Sequence, residues 1–188
     1  MTGAVLGADG LLRCGWGDSA DDYRTYHDTE WGRPVHGDQA LFERISLEAF
    51  QSGLSWITIL RRREGFRAAF RDFTIAEVAE FGEADVERLM ADTGIIRNRA
   101  KILATIANAR AARELDGELD ALIWSHAGDP DRPAPLALSD VPAVTPGSTA
   151  LARELKKNGF RFVGPTTAYA LMQACGLVND HLADCHAR

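Results

Sequence analysis

The sequence predicts an all-α protein built as a single domain. Apolar residues recur at three- and four-residue intervals along most of the chain, long alternating strand patterns are missing, and glycines and prolines punctuate the apolar stretches at helix-end spacings. A chain of 188 residues is long enough to bury one compact core. No apolar run approaches the ~20 residues of a membrane helix. Residues Met1 to Leu12 lack the basic start and long apolar centre of a signal peptide and read as a loose extension before one domain at 13–188. With neither a signal peptide nor a membrane span read, a cytoplasmic location is expected, and a monomer, because no exposed apolar helix face asks for a partner.

The elements follow in order. Asp38 is placed to cap a helix through about Ser52, with Gly53 as its terminator, and Ser55 to cap one running through Ile57, Leu60, Phe66 and Phe70. Thr74 opens a short helix to Phe81. Asp85 opens another that carries Val86, Leu89 and Met90 and stops at Thr93-Gly94. Helix resumes near Arg97 with Ile102, Leu103, Ile106 and Ala109 as its stripe, so residues 85–113 read as helix, tight turn, helix. A further helix covers Glu118 to Trp124. From Gly128 to Thr145 the chain holds Pro130, Pro133, Pro135 and Pro142, with Pro146 just beyond, and reads as an irregular connection. A helix from Ser148 to Lys157 is closed by Gly159, Phe160 to Val163 cross as extended chain, and Pro165 starts a helix through Met172 that ends at Gly176. Asn179 to His186 is expected to make one or two helical turns. No internal repeat is present.

Three cysteines, Cys14, Cys175 and Cys185, leave one over under any pairing, which argues against a secreted disulfide scaffold. His181 and Cys185 lie four apart and would share one face of a helical turn. Cys14 and His27 form a second pair, and the four make a Cys2His2 set drawn from opposite ends of the chain. The alternative is that both cysteines are small buried hydrophobes and the histidines core or capping groups. Cys175 reads as core, and His186 is a possible substitute ligand.

The densest chemistry lies between Cys14 and Trp56, where Trp16, Tyr23, Tyr26, Trp31 and Trp56 surround an oddly placed acid. In the helix from Asp38 the apolar stripe is Leu41, Phe42, Ile45 and Ala49; Glu48 falls seven residues after Leu41 and three after Ile45, on the same face. A carboxylate turned toward the core needs donors: a basic partner, backbone N–H groups, or a ligand's amino groups. An internal salt bridge is the plain reading. The aromatic residues favour a pocket for a flat, hydrogen-bonding, cationic molecule, with Trp31 left in the core.

The formal net charge of −6 disfavours indiscriminate adhesion to nucleic acid but not a local basic face. Arg97, Arg99, Lys101, Arg110 and Arg113 follow one another with no acid between Arg97 and Arg113. They come just after Thr93-Gly94-Ile95-Ile96, where a glycine and the N–H groups opening the next helix would suit a phosphate. Arg61, Arg62, Arg63, Arg67 and Arg71 form a second basic group that is either an extension of this footprint or a solvated surface.

Several strings then resemble one family: Arg-Cys-Gly-Trp (13–16), Tyr-His-Asp-x-Glu-Trp-Gly (26–32), Gly-Leu-Ser-Trp (53–56), Gly-Ile-Ile-Arg-Asn-Arg (94–99) with Lys101-Ile102, Gly-Phe-x-Phe-Val-Gly (159–164) and Met-Gln-Ala-Cys-Gly-Leu-Val-Asn-Asp-His (172–181). In this order, from Arg13 to Cys185, they resemble the DNA-3-methyladenine glycosylase I (Tag) family. The resemblance implies a helix-hairpin-helix glycosylase fold and one structural zinc on Cys14, His27, His181 and Cys185. It implies a base pocket in which Glu48 bonds the excised base and Trp56 stacks beside it, with Trp16, Tyr23 and Tyr26 around them. It further implies contacts to double-stranded alkylated DNA at Gly94, Ile95, Arg97, Arg99 and Lys101, and a place at the nucleoid of a bacterial cell. Related glycosylases carry an aspartate near the helix after the hairpin. The comparable position here looks like Asn179, and a helix-start role is expected for the adjacent Asp180. A zinc-stapled module that binds damaged DNA without cutting it is the competing reading, and a zinc hydrolase, which needs an open coordination position, a third.

Overall fold

The computed structural model describes residues 3–188; Met1 and Thr2, part of the expected extension, lie outside the described residues. Its helices are α1 (Asp21–Thr29), α2 (Asp38–Gln51), α3 (Trp56–Leu60), α4 (Arg63–Ala69), α5 (Ile75–Ala79), α6 (Glu83–Ala91), α7 (Arg99–Glu114), α8 (Leu119–Trp124), α9 (Pro146–Lys157) and α10 (Pro165–Ala174). Among the described residues the departure from an all-helical plan is at the start. Strands β1 (Ala4–Leu6) and β2 (Leu12–Cys14) pair antiparallel, with Ala4 opposite Cys14 and Val5 opposite Arg13. This segment is therefore tied down and not loose: Asp9 in the intervening turn bonds Arg13, whose buried guanidinium also holds Asp28.

Helix α2 is the axis of the core. From Leu41 to Phe50 only Glu43 and Arg44 escape full burial, and α3, α7, α8 and α10 pack around it. Its expected cap works elsewhere. Gly37, with φ +92°, precedes the helix, while the Asp38 carboxylate accepts the N–H groups of Leu119 and Asp120 and so caps α8. The stretch expected as one helix from Ser55 to Phe70 is two, broken at Arg61-Arg62. Behind it Phe50, Phe66, Phe70, Phe73 and Phe81 pack ring against ring, with centroids 4.6 Å apart for Phe50–Phe66 and 5.5 Å for Phe70–Phe73. That packing holds Arg71, Asp72 and Phe73 at positive φ, a conformation costing roughly 1–2 kcal/mol per non-glycine residue.

At α9 the Thr145 hydroxyl accepts the Ser148 N–H and the Ser148 hydroxyl accepts the Thr145 N–H. The reciprocal cap, with Pro146 in the first turn, starts the helix two residues earlier than expected. Helices α9 and α10 pack together and are joined by a turn in which Phe162 has φ +56° and is exposed; the Phe160–Val163 segment is a bent turn, not a strand. Buried Asn108 on α7 pins that turn by exchanging hydrogen bonds with the Arg161 backbone at 2.7 and 3.1 Å.

The tail also departs from expectation. Residues 179–186 are turns and bends, not helix, because they run back across β2 and the proline-rich segment, with His186 N–H on Leu12 O and Ala183 N–H on Pro135 O. Among the described residues no helix is long and apolar enough to cross a membrane. Replacing fully buried Phe66 by alanine removes the middle of the aromatic stack and is expected to cost about 3–5 kcal/mol in urea or guanidinium unfolding.

Candidate functional site: an acid-floored aromatic cavity and a Cys2His2 cluster

Two groups of side chains converge near the N-terminal segment. The first is a cavity of about 320 Å³, within the range of small-ligand pockets. Glu48 on α2 forms part of its wall, with Trp16, Tyr23, Tyr26 and Trp56 beside it, so every residue read as a base-pocket candidate comes to one place. Trp16 sits edge-on to Tyr23 at 5.4 Å between centroids, and Tyr26 lies against Trp56 at 5.4 Å. The Tyr23 hydroxyl accepts the Ile57 N–H at 3.0 Å, which fixes the start of α3 and hence the Trp56 ring. Trp31 corrects the expectation of a core residue: half-buried, it lines the cavity and meets Trp16 edge-on at 5.0 Å.

Glu48 is 5% exposed, and neither carboxyl oxygen has a hydrogen-bond partner among the described residues, though neither is sealed from the cavity. Burial raises its pKa from the ordinary 4.5 to about 8, against a weaker opposing pull from the Arg44 charge. Arg44 does not pair with it, since that guanidinium bonds Glu30 at 3.2 Å. The plain reading, an internal salt bridge, does not hold. Instead a carboxyl group faces open space between aromatic rings, lacking donors that a ligand would supply.

Several cavity residues were invisible to sequence reasoning. Leu138 and Val141 enter from the proline-rich segment, Gln51 from the end of α2, and Ala170 and Gln173 from α10. Asp180 also lines the cavity. It does not start a helix: fully buried, it accepts from the Tyr169 hydroxyl at 2.7 Å, from the Gln173 amide at 2.8 Å and from the Arg132 guanidinium. Asn179 turns away, its side-chain oxygen accepting the His181 N–H. The cue for Gln173 was its place four residues after Tyr169 on a helix opposite α2, which becomes readable only once α2 and α10 are known to pack together.

The second group is Cys14, His27, His181 and Cys185, all buried, with ligand atoms within 4.8 Å of one another. Cys185 Sγ is 3.5 Å from both His27 Nε2 and His181 Nδ1, and Cys14 Sγ is 3.8 Å from His181 Nδ1. The remaining ring nitrogens are occupied on the outer side: His27 Nδ1 lies 2.7 Å from Asp28 and His181 Nε2 lies 3.1 Å from the Trp31 carbonyl. Each imidazole thus turns an acceptor nitrogen inward, as metal ligands with outer-shell partners do. Burial pushes the Cys14 thiol up to about 12 and the His181 imidazole down to about 4. Gly17 lets the cluster close: a Cβ there would stand 2.6 Å from the His27 ring. The four residues could hold a metal ion.

The expected basic face is largely spent inside the protein. Lys101 is buried, its ammonium donating to the Phe50 and Ser52 carbonyls at 2.9 and 2.6 Å, so it closes the end of α2 and does not reach outward; burial lowers its pKa. Arg110 bonds the Ala79 and Phe81 carbonyls, and Arg99 and Arg113 pair with Glu83 and Glu80. The acids that were missing between Arg97 and Arg113 come from neighbouring helices. Gly94 is exposed, but its N–H already donates to Asp92 at 2.7 Å, and the Ile95 side chain is in the core. Arg97 alone of these is exposed with no side-chain partner among the described residues. In the second basic group Arg61, Arg63 and Arg67 are paired with Asp22, Glu30 and Glu43.

Replacing Lys101 by methionine strips the last α2 carbonyls of their charged donor and is expected to cost about 1.5–3 kcal/mol of stability, leaving the salt dependence of any DNA binding unchanged. Glu48 yields a pH prediction. The folded state holds its proton to about 8 and the unfolded chain releases it near 4.5, so stability contributed by Glu48 is complete below 4.5 and is lost as the pH rises toward 8. Urea midpoints are expected to fall between pH 5 and 8, and Glu48→Gln to flatten that fall.

Comparison with known proteins agrees with the geometry. A methyladenine glycosylase family model matches residues 16–188. DNA-3-methyladenine glycosylase 1 of Escherichia coli (strain K12) is 48% identical over 179 residues, 93% of this chain and 96% of that protein. The crystal structure of 3-methyladenine DNA glycosylase I (TAG) superposes with a TM-score of 0.89 at 48% identity, over 93% of this chain and 98% of the other. A tyrosine-to-phenylalanine variant of 3-methyladenine DNA glycosylase I (TAG) in complex with 3-methyladenine gives 0.84 at 33% identity, over 93% and 96%. A helical fold, an aromatic cavity with an unpaired acid, and relatives matched nearly end to end place this chain in the methyladenine glycosylase family.

Proposed function

We propose that the protein is a monofunctional DNA glycosylase that releases 3-methyladenine from alkylated double-stranded DNA, the first step of base-excision repair. The observation that carries this reading is the Glu48 carboxyl, buried, unpaired and open to an aromatic cavity. Methylation at N3 leaves the adenine cationic, weakening its pairing and its bond to the sugar. The damaged nucleotide is turned out of the duplex into the cavity, where aromatic faces hold a desolvated cation at ~1–2 kcal/mol each. Glu48, ionised by the arriving charge, accepts a hydrogen from the exocyclic amino group. The C1′–N9 bond breaks with its electron pair leaving on the base, whose positive charge is thereby neutralised, and water adds to C1′ and loses a proton to bulk solvent. Normal purines are refused because they bring no charge to offset the burial of Glu48 and their glycosidic bond is stronger.

Zinc is the ion that fits Cys14, His27, His181 and Cys185. Tetrahedral bonds of ~2.0 Å to nitrogen and ~2.3 Å to sulfur set ligand atoms roughly 3.3–3.8 Å apart, which the three sulfur–nitrogen separations of 3.5, 3.5 and 3.8 Å match, all four ligand atoms lying within 4.8 Å of one another. Four protein ligands leave no open position, so the ion would join the two ends of the chain and take no part in hydrolysis. The unit it joins is one domain, 13–188 in the sequence reading, with the β1–β2 hairpin attached.

DNA contact is proposed at the turn before α7, through close approach at exposed Gly94, the backbone N–H groups of Ile95 to Arg97 and the Arg97 side chain, with Lys101 excluded and Arg99 available only by leaving Glu83. The turn between α9 and α10 is a second anchor. It ends in Gly164 before a helix opened by Pro165, and that helix carries Gln173 into the cavity. The setting is the bacterial cytoplasm, at the nucleoid, as a monomer.

Wild-type protein is expected to release free 3-methyladenine from methylated duplex DNA, and Glu48→Gln to keep fold and DNA affinity while losing release by roughly 100-fold, in proportion to the ~2.7 kcal/mol that removing one transition-state contact costs. Binding without release by the wild type would instead favour the damage-binding module. Zinc chelation is expected to lower the melting temperature far more than the rate of the chemical step measured at a temperature where the fold persists.

A further inference from the structure

The cavity contains a second hydrogen-bonding wall whose polarity is set by chemistry alone. An ionised carboxylate can only accept hydrogen bonds. The Asp180 side chain, completely buried, gathers three donors: the Tyr169 hydroxyl and the Gln173 amide on one oxygen and the Arg132 guanidinium on the other. Of the two ends of the Gln173 amide only the nitrogen can face Asp180, whichever way the group is drawn. Its carbonyl oxygen must therefore point the other way. That oxygen has no hydrogen-bond partner among the described residues and is not sealed off, and Gln173 lines the cavity together with Glu48.

We propose that Gln173 reads the 6-position of the everted purine, its carbonyl oxygen accepting the second hydrogen of an exocyclic amino group, and that Asp180 is the positioning residue that makes this orientation obligatory. The inference rests on the glycosylase reading and names a specificity device within it. An amino group carries two hydrogens, and the packed helices α2 and α10 bring two acceptors, Glu48 and Gln173, into one cavity. A 6-oxo purine presents an oxygen at that place, which a protonated Glu48 could still meet as a donor but which leaves the Gln173 carbonyl, able only to accept, unpaired. A site built to satisfy a donor rejects an analogue without it by several orders of magnitude. Positive charge and a weak glycosidic bond do not distinguish 3-methyladenine from 3-methylguanine, so this wall supplies discrimination that the leaving group cannot.

The test uses the full chain and duplex DNA treated with a methylating agent, so that both 3-methylated purines are present on one substrate. Single-turnover release of each is measured for wild type, Gln173→Met and Asp180→Asn. Gln173→Met is expected to slow 3-methyladenine release about tenfold or more, the loss of one hydrogen bond to a charged ligand, while 3-methylguanine release holds or rises, so that the ratio collapses. Asp180→Asn, which frees the amide to turn over, is expected to move the ratio the same way by a smaller factor. Equal slowing of both bases, or an unchanged ratio in both variants, overturns the proposal, because a merely structural role would not separate two substrates on the same DNA. If Gln173→Met does not fold, the Asp180→Asn ratio decides. Release of neither base by the wild type would refute the glycosylase reading itself, an outcome distinct from failure of the Gln173 assignment.

Discussion

The structure turns on an acid that the protein declines to satisfy. Glu48 lies on the central helix, surrounded by residues that are fully buried, and the nearest cation, Arg44, is held by Glu30. Burying a carboxyl without partners disfavours its charged form, and the rise of its pKa to about 8 expresses that penalty. A cationic ligand relieves it. The same feature therefore works against the folded state at neutral pH and favours the one class of molecule that arrives with a compensating charge.

Much of the rest serves to keep that acid in place beside its rings. Lys101 closes the end of α2 just beyond Glu48 by bonding the Phe50 and Ser52 carbonyls. Tyr23 fixes the start of α3 and so the Trp56 ring. Trp16 and Trp31 pack against both the cavity and the histidines of the Cys2His2 cluster. The cluster thus shares a wall with the cavity: the ends of the chain are drawn together where the pocket's outer aromatic residues must be held. On the opposite side α10 and the Asp180 network supply a polar wall that backs onto the proline-rich segment.

What could be read before the structure was whatever depends on one helix at a time. Glu48 stood out because its departure from an apolar stripe is local, and the helices with clear caps and stripes fell within a few residues of their observed bounds. The four clustered ligands are legible from residue type and family likeness, but His181 and Cys185 meet across a bent tail and not on the helical turn their spacing suggests. Features that depend on what packs against what were hidden. Asp38 caps a different helix, Arg99 and Arg113 find acids on neighbouring helices, and Lys101 is drawn inward by carbonyls far away in sequence. Gln173 and Asp180 acquire meaning only when α10 lies against α2. Leu138 and Val141 come from a proline-rich stretch with no periodic signal at all.

Glu48 waits protonated and releases its proton to solvent when the cationic base binds beside it. Carbon-13 NMR titration of the Glu48 carboxyl tests this most directly, run on the free protein and on its complex with a methylated duplex whose 2′-fluorinated sugar keeps the base attached. A midpoint near 8 in the free protein that drops by more than about one unit, ~1.4 kcal/mol or more of favourable interaction with the cation, is the predicted result. A midpoint near 4.5 in the free protein, or one that does not move on binding, would contradict it.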